Sequence, residues 1–222
     1  MRYPIFAAIL VLPLVGCLSE HEQQGDPPES RPSAAEQLAA LGKVAAEAHD
    51  AIKVEGVMDG SASFVAEYAP DKQSLVYELN IGDKTERFVV SPDEAIYSAT
   101  GKSDQKVNRE SVMPNGKDWP YASRMAAPFL DAIDGYSATL HSFHIEQIDP
   151  PESAQRSDTD QYSWFSLQAN RANIHDLLFM EISKASEVKI GVDAKTGLLK
   201  CLQSTSSKTG EIAEIWAKHQ AG

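Results

Sequence analysis

The feature that most constrains this chain is a change of period. Over residues 53–101 apolar side chains recur at every second position. Phe64, Ala66 and Tyr68 alternate with Ser63, Val65 and Glu67. Leu75, Tyr77, Leu79 and Ile81 alternate with Val76, Glu78 and Asn80, and Phe88 and Val90 alternate with Arg87 and Val89. Successive strand side chains point to opposite faces, so this spacing predicts strands with one face turned to a core. Ala69-Pro70-Asp71, Ile81-Gly82-Asp83-Lys84 and Ser91-Pro92-Asp93 supply turn chemistry between the runs, which together read as an antiparallel meander. The same alternation returns over 187–193, 198–204 and 211–218. Gly197 and Gly210 close the intervening turns, where a positive φ is wanted. Residues 136–148 and 162–169 are two further predicted strands.

Helical spacing is confined to shorter stretches. Ser33-Ala34-Ala35-Glu36 has the capping-box pattern, and Leu38, Leu41, Val44, Ala45, Ala48 and Ile52 follow at steps of three and four. A helix is therefore expected from residue 34 to about 52. Met125, Phe129, Leu130 and Ile133 suit a second helix over 121–133, kinked or begun at Pro128 and ended near Gly135. Leu177-Leu178-Phe179-Met180 lies in a dense apolar run within 173–183, readable as a core helix, a mobile lid or an exposed hydrophobic loop. Residues 102–118 are polar and read as a loop. The fold class is thus α+β: a strongly bent antiparallel sheet of eight to eleven strands, an open half-barrel, with two or three helices on its concave face.

The N-terminus says where such a domain resides. Arg2 precedes an apolar run of residues 5–15 that is too short to span a bilayer as a helix and fits the apolar region of a secretory signal. The run ends in Leu14-Val15-Gly16-Cys17, a tetrapeptide that resembles a bacterial lipobox. The resemblance implies cleavage before Cys17 and acyl chains on its thiol, an anchor worth about 0.8 kcal/mol per buried CH₂. Leu18, rather than Asp, after the cysteine implies the outer membrane, facing the periplasm, where the cell has one. The expected organisation is a signal peptide over 1–16, an anchor and flexible tether over 17–32, and one domain over 33–218.

Charge narrows the partners. The formal charge is −12, whereas phosphate binding needs clustered Lys and Arg, so nucleic acid is excluded. Anionic lipid is disfavoured as an electrostatic partner for the same reason, and membrane attachment falls to the acyl chains on Cys17. The second of the two cysteines, Cys201, sits amid strand residues and reads as a small buried apolar group.

Catalytic and metal-binding patterns are weak. Ser186-Glu187-Val188-Lys189 and Lys195-Thr196-Gly197 match fragments of the β-lactamase set, but they crowd one hairpin and read as turn chemistry. His141 and His144 would share a face only on a helix; the expected strand sends them to opposite faces. The expectation is no enzyme, no metal and no cofactor.

The segment Val188-Lys189-Ile190-Gly191-Val192-Asp193-Ala194-Lys195-Thr196-Gly197-Leu198-Leu199 resembles the closing hairpins of the LolA/LolB-like lipoprotein carrier superfamily. The order of elements over 33–218 is similar to that family as well. The resemblance implies an unclosed barrel with a helical lid and an apolar cavity for acyl chains. Carried onto this chain, the cavity falls to Leu75, Tyr77, Leu79, Phe88, Val90, Phe129, Leu130, Leu177, Leu178 and Phe179. The implied function is binding of a lipid or other hydrophobic ligand, within lipid or lipoprotein trafficking. The alternative is a non-enzymatic envelope protein with a solid core that holds a protein partner.

Overall fold

The computed structural model describes residues 31–58, 62–113, 116, 118, 126–152, 161–169, 185–206 and 212–220. The lipobox, the tether up to residue 30 and the run 173–183 with Leu177, Leu178 and Phe179 lie outside these residues.

Eleven strands form one antiparallel sheet among the described residues: β1 (Ile52–Met58), β2 (Ala62–Ala69), β3 (Ser74–Ile81), β4 (Lys84–Val90), β5 (Ala95–Ala99), β6 (Gln105–Val107), β7 (Phe143–Ile148), β8 (Tyr162–Ala169), β9 (Ala185–Asp193), β10 (Leu199–Ser206) and β11 (Ile212–Gln220). Their order is β6-β5-β4-β3-β2-β1-β11-β10-β9-β8-β7. Two meanders are therefore zipped together where β1 pairs with β11, Val54 opposite His219 and Val57 opposite Trp216. The sheet is unclosed, and β6 and β7 are its two ends.

The alternation read in the sequence sets the faces. Phe64 and Ala66 of β2, Leu75, Tyr77 and Leu79 of β3, and Phe88 and Val90 of β4 are buried in one core cluster, which continues through Phe165, Val188 and Ile190 at the far side of the sheet. A smaller cluster occupies the opposite face, with Trp164 and fully buried Cys201 packed by Ile148, Tyr162 and Trp216. Cys201 is the buried apolar group expected of it.

Helix α1 (Ala34–Ala48) opens with the expected capping box: the Glu36 amide donates to Ser33 Oγ at 3.3 Å, and the Ser33 amide donates to Glu36 Oε2 at 2.7 Å. It ends at Ala48, not near residue 52. Ile52, β-branched and opposite Tyr68, begins β1, where the ladder satisfies its backbone. The buried stripe is Leu38, Gly42 and Ala45, while Val44 is exposed. The helix is turned toward Gly42 because that glycine lies against the Gly135 backbone, where a Cβ would sit 2.6 Å from the carbonyl carbon. Gly197, at φ +69°, brings the β9–β10 turn equally close to the backbone of α1 at Leu41. Asp193 Oδ1 tightens that turn by accepting the amides of Lys195 and Thr196.

The remaining helices are short: α2 (Arg109–Val112), α3 (Ala127–Leu130), a 3₁₀ turn Asp131–Asp134, and α4 (Ser137–Ser142). Pro128 sits in the first turn of α3, so the helix begins there, and Gly135 ends the segment at φ +71°. Two further expectations fail. The strand predicted over 136–148 starts only at Phe143; residues 137–142 are helical because the Asp131 carboxylate accepts the amides of Ala138 and Thr139 and the Thr139 hydroxyl. Tyr136 is left-handed at φ 56°, and its buried hydroxyl donates to Gly197 O at 2.7 Å. The loop predicted over 102–118 holds β6 and α2. No helix among the described residues is long and apolar enough to cross a membrane.

Candidate functional site

The residues proposed from sequence come together in part. Leu75, Tyr77, Leu79, Phe88 and Val90 share one face of β3 and β4, and Phe129 and Leu130 of α3 join the same buried cluster. Phe129 meets Phe64 with ring centroids 5.7 Å apart, and Phe64 meets Tyr77 at 6.3 Å. This part of the face is packed side chain against side chain. Of the proposed residues, Phe88 borders open space.

That space is a cavity of about 380 Å³ lined by Phe88, Tyr97, Val107, Asn108, Ser111, Val112 and Asp118. Phe88 and Tyr97 form its floor. They are directly opposite each other on β4 and β5, with centroids 4.7 Å apart. Val107 and Val112 add aliphatic wall. Phe88 and Val112 belong to the main core cluster, while Tyr97 and Val107 pack on it from partly exposed positions. The cavity is thus an opening at the edge of the core, of a size suited to a small apolar ligand.

The polar wall is built from α2 and the turn after it. Asn108 caps α2, its Oδ1 accepting the Glu110 amide at 3.1 Å. The Ser111 hydroxyl donates to Asn108 O at 2.9 Å, and the Asp118 amide donates to Ser111 O at 2.7 Å. Gly116 packs on the α2 carbonyls so closely that a Cβ would lie 2.3 Å from Glu110 O. Arg109 fixes the helix from the outer side. Its Nε donates to Ser91 O at 2.8 Å and its Nη2 to Gln73 Oε1 at 2.7 Å. One arginine therefore ties α2 to the β2–β3 and β4–β5 turns.

Sequence reasoning missed Tyr97, Val107, Asn108, Ser111, Val112 and Asp118. The cap signal was present, since Asn108 stands at the start of a four-residue helix, but a single turn has too little periodicity to register. The two histidines of the H-x-x-H pattern fall on different elements, His141 in α4 and His144 in β7. His144 stands 3.4 Å from Glu146 at the surface. No group of three or more His, Cys, Asp or Glu able to hold a metal occurs among the described residues.

No protein-family model matches the chain, and no curated protein matches it. Solved structures to which it is similar include MucB, at 11% identity and a TM-score of 0.46, over 85% of this chain and 58% of that one. An outer-membrane lipoprotein-sorting protein domain from Vibrio parahaemolyticus matches at 10% identity and a TM-score of 0.35, over 85% of this chain and 93% of that one. A LolA superfamily protein from Nitrosomonas europaea matches at 8% identity and a TM-score of 0.30, over 85% of this chain and 92% of that one. The chain spans 58% of the length of MucB. A lipoprotein-sorting domain and a LolA superfamily protein are thus among the solved structures to which the chain is similar.

Proposed function

We propose that this chain binds a hydrophobic ligand, a lipid or acyl chain, in the cavity between β4–β6 and α2. The observation that carries the reading is the aromatic floor of Phe88 and Tyr97 under an open cavity of about 380 Å³. Water in such a space has few partners on the floor side, and an alkyl chain that displaces it gains roughly 25 cal/mol per Å² of apolar surface removed from water. In the half-barrel reading the helices lie on the concave side of the sheet, and the domain is held at the cell envelope, on the periplasmic side, by acyl chains on Cys17. We assign it no catalytic step.

Native mass spectrometry of the protein purified without detergent tests the reading. The expected result is a ligand-bound species in the mass range of one acyl-chain compound, lost when Val112→Trp fills the cavity. An apo spectrum that stays unchanged after incubation with lipid extract would overturn it. It would favour the alternative, an envelope interaction protein that holds a partner on its surface.

A further inference from the structure

The cavity is not evenly apolar, and its asymmetry has a sign. Among its lining residues Asp118 alone carries a charge. Two cations of the described residues beside it, Arg109 and Lys106, are engaged elsewhere. Arg109 of α2 spends its guanidinium on Ser91 O, Gln73 O and Gln73 Oε1. Lys106 precedes the lining residue Val107 on β6, so strand alternation points it to the other face, where it stands 3.5 Å from Glu94 Oε2. The Ser111 hydroxyl hydrogen is committed to Asn108 O, which leaves the hydroxyl's lone pairs as acceptors.

From this we infer that the cavity selects a cationic amphiphile: an alkyl or aromatic body on the Phe88–Tyr97 floor and an ammonium group at the Asp118 carboxylate. The inference rests on the hydrophobic-ligand reading and deepens it by naming the head group. A carboxylate-headed ligand of the same length would bring like charge to Asp118 beside a low-dielectric wall, where repulsion is poorly screened. An ammonium there adds an ion pair to its hydrogen bond, whereas an alcohol offers the carboxylate a hydrogen bond alone. The formal charge of −12 on the whole chain adds long-range attraction of the same sign.

Titration calorimetry of the purified protein with dodecylammonium, dodecanol and dodecanoate, each below its micelle concentration, separates the terms. Dodecylammonium should bind about tenfold tighter than dodecanol, with dodecanoate weakest. Asp118→Asn should weaken the amine about tenfold and bring amine and alcohol to within about threefold of each other. The variant keeps the Asp118 backbone bond to Ser111 O, and retained alcohol binding reports an intact cavity. In the wild type, added salt should weaken the amine and not the alcohol. Alcohol or carboxylate binding as tightly as the amine, or an amine preference that survives Asp118→Asn, overturns the head-group inference while leaving the hydrophobic reading in place. Failure of all three ligands to bind overturns both.

Discussion

At the residue scale, tight contacts and buried polar groups outweigh individual apolar side chains. Gly42 is the sharpest case. Alanine would gain about 1 kcal/mol of helix propensity, but its Cβ would meet the Gly135 backbone at 2.6 Å, and backbone cannot swing away. Gly42→Ala should therefore lose about 2 kcal/mol of stability net, read as a lower urea midpoint with unchanged slope. Burial also sets opposed pH responses. His219 is pushed down to about 4 from its ordinary 6.5, first by burial, and Lys200 and His49 add to the fall. The contact of its Nε2 with Leu199 O at 2.7 Å pulls the other way, as does nearby Asp193, and burial outweighs both. Between about 4 and 6.5 the unfolded chain binds the extra proton, so this group adds stability as pH rises. Asp134 is pushed up to about 6, first by partial burial and then by Asp131. There the folded chain holds the proton, and stability falls as pH rises from about 3.8 to 6. The two windows overlap and the slopes oppose, so His219→Asn should turn the net slope of stability against pH downward and Asp134→Asn should turn it upward, in urea titrations repeated across this range. The same slope in either variant as in the wild type would contradict that group's assignment.

At the element scale, α2 is the piece on which the site depends. A single turn has no stability of its own, and Arg109 holds it to two hairpin turns through three carbonyl-type oxygens. Arg109→Met should cost about 1–2 kcal/mol of stability and weaken ligand binding by about tenfold or more. Calorimetry and a urea midpoint on the same preparation check the two effects, and full affinity in the variant would show that α2 stays in place without the arginine. The strands were legible because alternation over seven or eight residues repeats a simple rule, as at Leu75-Tyr77-Leu79 opposite Val90-Phe88. The junction before β7 was not, because Ser137-Ala138-Thr139-Leu140-His141-Ser142 alternates like a strand and is made helical by a carboxylate from the preceding turn. That bond depends on a neighbouring turn and not on periodicity. The apolar half of the site was read through Phe88; its polar half was not, since Asn108, Ser111 and Asp118 are brought together by one short helix and a tight Gly116 turn.

At the scale of the whole molecule, two meanders joined through β1 and β11 make an unclosed sheet whose main cluster brings Phe64 against Phe129 and borders open space near Phe88 and Tyr97. Attachment and binding are therefore separable in our account. Cys17→Ala should move the protein from the membrane fraction to the soluble fraction and leave ligand affinity unchanged; a variant that stays in the membrane fraction would remove the acyl anchor from the account. The central claim is the place of binding, and the most direct measurement is a methyl and aromatic NMR titration with dodecylammonium. The account predicts saturable one-to-one shifts at Phe88, Tyr97, Val107 and Val112, with Phe64 and Phe129 unmoved. Shifts confined to the exposed apolar residues Val57, Ile81 and Ile212, or no saturable shift at all, would contradict it.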